Sequence, residues 1–259
     1  MVIVVLVDFS PVSVQAARYA VNLSQQFEDI RYIFYHSHYS VTEIETVQAD
    51  MDAFADSIKA EHPQAIFSTE INKKGITDGT RELVTTFNAD LVIMGINGKG
   101  KFNQKLIGSN TLIVAESLDV PVLIIPENCT WKPLEHLMLA IPYQAHLSGI
   151  LPLDAIEKVV RDFNFKLEIA SVHVDQKVAD LIVTLTDQQA LVDRWAHLQP
   201  TYTILDGSNI VNTLLEHAHK QGASWICTVT KEHSFWELLL KGSVTSDLAY
   251  RSDLPILVF

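Results

Sequence analysis

Two stretches carry residue types that could do chemistry: Gly95-Ile96-Asn97-Gly98-Lys99-Gly100 and, after a polar interval, Gly108-Ser109-Asn110. Together they read G-x2-G-x9-G-S, with Lys99, Lys101 and Lys105 and no carboxylate between Gly95 and Gly108. Glycines let backbone N–H groups approach an anion closely, and a helix starting near Ser109 offers unpaired N–H donors to phosphate. The pattern is not a Walker A loop, because Gly-Lys-Ser/Thr is absent. Nor is it the dinucleotide fingerprint, since these glycines follow a fourth strand and are spaced differently. A flexible surface loop is the plainer reading of glycines alone. The apolar run before them and the helix start after them favour an anion cradle.

Asp8 ends the first apolar run, where a parallel sheet opens toward its ligand crevice. A carboxylate there can accept from ribose hydroxyls or an adenine amino group, or it can cap the helix that follows Pro11, a task Ser10 could also perform. His36 and His38 alternate onto one face at a strand end. Two imidazoles without further ligands at metal spacing read as strand-end polar residues. His217 and His219 stand two apart on a helix and point in different directions. No serine sits in a G-x-S-x-G elbow. The acidic run Glu43, Glu45, Asp50, Asp52, Asp56 and Glu61 reads as a solvated helix face. With no acid or histidine placed to activate water beside the loop, a bound nucleoside triphosphate would turn over slowly if at all.

Positioning these residues requires a parallel sheet. Strands are expected at Val2–Val7, Arg31–Ser37, Ala65–Asn72, Asp90–Met94 and Val120–Ile125, with helices at Val12–Gln26, Val41–Glu61, Asp78–Phe87 and Ser109–Leu118. Near-continuous Val/Ile/Leu strands separated by helices indicate a doubly wound α/β domain. Pro126–Pro133 reads as a linker, and the rhythm then restarts. Second-half strands are expected at His136–Ile141, Lys166–His173, Tyr202–Leu205, Ser224–Val229 and Pro255–Phe259. Helices are expected at Gly149–Phe163, Thr186–Leu198, Ser208–Gln221 and before Asp253. Val178–Leu185 fits either strand or helix.

The second half repeats the first. At an offset of 134 residues Ala89 meets Ala223, Gly108-Ser109 meets Gly242-Ser243, and Val120-Pro121-Val122 meets Leu254-Pro255-Ile256. The copy is worn. Val229 and Glu232 replace the leading glycines, Gln144 falls where an acidic residue would be, and Phe235 and Trp236 suggest a packed helix. A β-branched residue and a carboxylate there would obstruct and repel a phosphate.

Composition sets the class. The chain has 259 residues, 48% hydrophobic and 19% charged, enough for two ordinary globular domains. Its acidity argues against a nucleic-acid backbone partner. Cys129 and Cys227 have no metal or redox spacing and read as free thiols in a reducing, cytoplasmic setting. Met1–Val7 reads as a first strand rather than a signal peptide, and no apolar run approaches membrane-spanning length.

These residues resemble the universal stress protein family in its tandem, two-domain form. The likeness rests on Leu6-Val7-Asp8-Phe9-Ser10, Met94-Gly95-x2-Gly98-x9-Gly108-Ser109 and Val120-Pro121-Val122. It implies two Rossmann-like domains, 1–128 and 133–259, each a five-stranded parallel sheet in the order 3-2-1-4-5. It also implies ATP as ligand of the first domain, with ADP, AMP and Mg2+ left open. Carried over, Asp8 contacts the adenosine moiety, and the backbone near Ser37 and His38 edges the adenine. Met94 belongs to the same motif, while Gly95 and Gly98 leave room for ribose and phosphates. Gly108, Ser109 and Asn110 donate to phosphate oxygens. The family commonly has Pro where Leu6 stands. The resemblance further suggests that the two fifth strands pair across a pseudo-dyad, so that one chain equals a dimer of single domains; homodimerisation is left open. The leading expectation is a regulatory, stress-response nucleotide binder. An empty scaffold of the same fold, a slow ATPase, and an enzyme of the wider adenine-nucleotide alpha-hydrolase group are the alternatives.

Overall fold

The computed structural model describes residues 1–38, 44–96, 109–141, 151–174, 189, 191, 193–229 and 244–259, without the side chains of Ser109 and Asn110. The chain divides into two compact units, Met1–Trp131 and Lys132–Phe259.

In the first unit, apolar runs form β1 (Val2–Leu6), β2 (Arg31–Ser37), β3 (Ile66–Asn72), β4 (Leu91–Ile96) and β5 (Val122–Pro126). They pair in parallel in the order β3-β2-β1-β4-β5. Ile3, Val4 and Val5 of β1 are fully buried, as are Val92 and Ile93 of β4, which is what strands covered on both faces require. β3 is the edge strand, partly buried along its length. The helices are α1 (Pro11–Asn22), α2 (Ile44–Glu61), α3 (Ile76–Phe87) and α4 (Ser109–Ser117). Ser10 caps α1, its hydroxyl accepting from the Ser13 amide, and Pro11 fills the first turn where a missing N–H costs nothing. The helix expected at Val12–Gln26 is therefore α1 followed by a 3-10 turn, Leu23–Gln25.

The second unit holds β6 (His136–Ala140), β7 (Lys166–His173), β8 (Thr201–Asp206), β9 (Trp225–Thr228) and β10 (Ile256–Val258). Their parallel order is β8-β7-β6-β9-β10, the same winding as the first sheet. Its helices are α5 (Leu153–Asp162), α6 (Ile210–Gln221) and α7 (Val244–Arg251). Within the span expected as one helix, Thr186–Leu198, the described part ends in a 3-10 turn, Ala196–Leu198. Val178–Leu185, Gly149 and the stretch from Glu232 to Ser243 lie outside the described residues.

The repeat seen in the sequence is a repeat of register. Ile3 pairs with Leu91 and Leu137 with Trp225; Val92 pairs with Val122 and Ile226 with Ile256. Each residue stands 134 positions from its counterpart. Even the helix ends agree: α3 closes on Asn88 at φ 49° and α6 on Gly222 at φ 68°, both left-handed. Asn and Gly are the residues that adopt this cap with least strain.

The two cores are filled differently. In the first, Tyr32 stacks near Phe34, and Phe54 and Phe67 meet Phe34 edge-on. In the second, Phe163 and Phe165 pack edge-on against Trp225 at 4.9 and 5.1 Å, and Trp195 is fully buried beside no polar partner for its Nε1 among the described residues. Both cysteines are buried and neither forms a disulfide, and burial pushes the Cys227 thiol well above its ordinary pKa.

Candidate functional site

In the first unit a cleft opens at the carboxyl ends of the strands, beside β1, where the winding reverses direction. Asp8, Ser37, Met94 and Gly95 line it together. Ser109 and Asn110 are the first two residues of α4, whose third, Thr111, also lines the cleft. His38 does not line it: its ring is buried, its amide donates to the Asn72 carbonyl at 2.8 Å, and its Nε2 has no partner among the described residues. Gly98, Gly108 and the three loop lysines lie outside the described residues.

Asp8 is held by its neighbours. Its Oδ1 accepts from the Ser10 amide at 3.0 Å, and its own amide donates to the Ser13 hydroxyl at 3.2 Å. That hydroxyl in turn donates to the Ser10 carbonyl at 3.0 Å. Desolvation is the largest influence on the carboxyl and works to raise its pKa. Hydrogen bonds from Ser10 and Ser13 outweigh it and leave the pKa below the ordinary aspartate value. Asp8 is therefore an ionised acceptor, and Ser10 alone caps the helix.

The residues on either side of Asp8 are fixed by one imidazole. His36 Nδ1 lies 2.8 Å from the Val7 carbonyl, which can only accept, so Nδ1 carries the proton. The ring also stacks on Phe9 with centroids 4.7 Å apart and planes 25° from parallel. Phe9 sits at φ 60°, a left-handed conformation that costs a bulky residue roughly 1–3 kcal/mol. The stack on His36 and an edge contact with Phe54 hold it there.

Gly95 needs to be glycine for a reason of packing. A Cβ at this position would fall 2.6 Å from Val12 Cγ1 and 2.8 Å from the Val12 carbonyl oxygen. The first turn of α1 thus presses on the end of β4. Thr111 ties the other wall, its hydroxyl donating to the Gly95 carbonyl at 3.3 Å. On the β2 side, Ser37 Oγ donates to the Lys74 carbonyl at 2.7 Å, and the Tyr35 hydroxyl donates to Asn72 Oδ1 at 2.8 Å. Gly79 lets α3 close over that hydroxyl; a Cβ there would meet it at 1.8 Å.

Sequence reasoning named Asp8, Ser37, Met94 and Gly95 but gave no role to Ser13, Thr111 or the His36–Phe9 pair. The alternation that puts His36 and His38 on one face at the end of β2 was the available signal. It could not show which of the two rings meets the loop after β1.

The second unit is built differently at the same end. The register offset puts Val229 at the place of Gly95, and Val229 is buried. It also carries the offset from Asp8 to Pro142, two residues before Gln144; both lie outside the described residues. Thr228 and Thr245 share a hydroxyl contact of 3.1 Å, and His173 Nδ1 lies 3.1 Å from Asp206 Oδ1. Deeper in the unit, Glu168 of β7 is buried, with His217 Nε2 at 2.7 Å, Thr203 Oγ1 at 2.6 Å and His136 Nε2 at 3.2 Å. Burial acts to raise its pKa, but these three partners bring it down to about 2. His219, by contrast, faces outward to Asp253 at 2.9 Å. Among the described residues no group of three His, Cys, Asp or Glu is arranged to hold a metal ion, and no helix is long and apolar enough to cross a membrane.

With this geometry in place, comparison with known proteins gives the family. Residues 1–126 match the model of the universal stress protein family. A universal stress protein from Archaeoglobus fulgidus DSM 4304 has a similar structure, at 17% identity and TM-score 0.67, covering 99% of this chain and 97% of that one. A putative universal stress protein from Pseudomonas aeruginosa UCBPP-PA14 is similar at 13% identity and TM-score 0.62, over 100% of this chain and 92% of that one. A universal stress protein solved in complex with cAMP covers 49% of this chain and 97% of its own, at 23% identity and TM-score 0.41. No curated protein matches significantly. Residues 1–126 thus carry a domain of the universal stress protein family.

Proposed function

We propose that the first unit binds an adenine nucleotide, ATP foremost, and that the chain acts as a non-enzymatic regulator in a stress response. The observation that carries this reading is the convergence of an ionised Asp8, the Ser37 strand end, Gly95 and the start of α4 on one cleft at the sheet's switch point. Asp8 and the Ser37 edge would take the adenosine end, and Met94 would floor it. Gly95 and Gly98 would admit the sugar and phosphates, and Gly108, Ser109 and Asn110 would donate to phosphate oxygens, with Mg2+ able to accompany them. A carboxylate whose pKa is held low and whose oxygen already takes the Ser10 amide is a weak general base, which favours binding over turnover. ADP and AMP compete for the same assignment. Mass spectrometry of nucleotide released from the purified chain decides among them, and a chain that neither carries nor takes up any adenine nucleotide refutes the reading.

The second unit is proposed as a domain of the same family that has lost the site. Val229 stands at the position of Gly95 and would fill the approach. One ATP per chain is expected in titration, abolished by Ser109→Ala and untouched by Ser243→Ala. Two equivalents, each removed by its own substitution, would contradict this. On sequence grounds we extend the reading to an intrachain pseudo-dimer through the two fifth strands and to a cytoplasmic setting for the buried thiols. Domains separated near Thr130 that behave as stable monomers would oppose the pseudo-dimer.

A further inference from the structure

We propose that His36 is the positioning residue of the cleft, fixing through both neighbours of Asp8 where that carboxylate meets the sugar hydroxyls of a bound nucleoside. The inference rests on the nucleotide reading above and assigns a task to a side chain which that reading leaves idle.

Asp8 belongs to neither β1 nor α1, so no ladder of backbone hydrogen bonds holds it. A carboxylate on such a loop would sample many positions, and hydrogen-bond geometry weakens steeply once donor and acceptor misalign. His36 removes that freedom at two points. Its Nδ1–H grips the carbonyl of Val7, and its ring face carries Phe9. Because Val7 also donates its amide to the Tyr35 carbonyl at 2.8 Å, residue 7 is held from both sides. Phe9 would not stay left-handed without a partner, and the imidazole supplies one at stacking distance. The contacts at Asp8 itself, with Ser10 and Ser13, set its local turn but anchor it only to the start of α1. His36 anchors it to the sheet. The ring also lines the cleft, so its place is at the site and not behind it.

Donor and ring can be separated by substitution. Asn places an amide N–H close to where Nδ1 stands, without a ring. Phe keeps a ring face for Phe9, without the donor. Phe9→Ala removes the stack from the other side.

The experiment is calorimetric titration of the full-length chain with ATP and with 2′,3′-dideoxy-ATP, which lacks both sugar hydroxyls. The wild-type chain should prefer ATP by about ten- to a hundredfold, the range for hydrogen bonds to a charged group. Asp8→Asn should lose most of that preference. His36→Phe should lose it as well although Asp8 is intact, His36→Asn should recover a substantial part, and Phe9→Ala should fall between. A merely structural role for His36 would lower affinity for both nucleotides equally and leave their ratio unchanged. Wild-type preference in His36→Phe overturns the proposal while the nucleotide reading stands. If His36→Phe does not fold, loss of preference in His36→Asn together with its retention in Phe9→Ala overturns it instead. A wild-type chain that binds neither nucleotide refutes the nucleotide reading, and this inference falls with it.

Discussion

Gly95 shows how a residue can be legible in type while one of its reasons stays hidden. Its place in the loop motif suggests that glycine is there to admit a ligand. The structure adds that the first turn of α1 occupies the space a side chain would need. Gly95→Ala would drive a Cβ into both Val12 Cγ1 and the Val12 carbonyl, and a helix backbone cannot step aside as a side-chain tip can. We expect overpacking to cost about 1–3 kcal/mol, measured by urea unfolding. ATP affinity should fall with it, because the Ser10 cap and Asp8 ride on the same turn. An alanine variant of wild-type stability would show that α1 yields freely at this point. Asp8 was easier to read, since a carboxylate closing an apolar run falls at the strand's end. The contact of His36 with Val7 was not, because it joins residues 29 apart through the pairing of β1 with β2.

At the scale of elements, most of the sheet was open to sequence reading. β2 and β7 fall on their expected bounds, and the remaining strands shift by a residue or two at their ends. The reason is physical: a strand covered on both faces must be apolar throughout, and few helices of this chain imitate that. What escaped was polar content inside β7. Glu168 interrupts an apolar run, yet it is buried because His136, Thr203 and His217 approach it from β6, β8 and α6. No periodicity reveals such a convergence. Its folded pKa, about 2, lies below the ordinary 4.5, so its stabilisation is complete above the ordinary value and drains away as pH falls from there toward 2. Two and a half pKa steps correspond to about 3 kcal/mol. Denaturant melts between pH 5 and about 2.5 should therefore lose stability more steeply in the wild-type chain than in Glu168→Gln. Parallel slopes would show that the cluster does not couple to folding.

At the scale of the molecule, two copies of one winding differ at residues that line the first unit's cleft. The offset of 134 residues survives in strand register and in the left-handed ends of α3 and α6, while the cleft residues diverge. Ligand that binds a native site stabilises the fold around it by mass action. Hydrogen exchange on the full-length chain should therefore slow on adding saturating ATP in β1, β4 and α4, and stay unchanged in β6, β9 and α7. Equal slowing in both units would mean that the second retains a site.

The filling of the two cores has an optical consequence. All four tryptophans, Trp131, Trp195, Trp225 and Trp236, fall at or after the last residue of the first unit. Three of the four therefore belong to the second unit, and the unit that holds the described cleft carries one, its terminal Trp131. Excitation at the red edge of the protein band thus addresses chiefly the second copy, and Trp131→Phe would leave only its emission. A change in that emission on adding ATP, kept in Trp131→Phe, would be a message from one unit read out in the other, and its absence would mark the emitting residues as silent to the ligand.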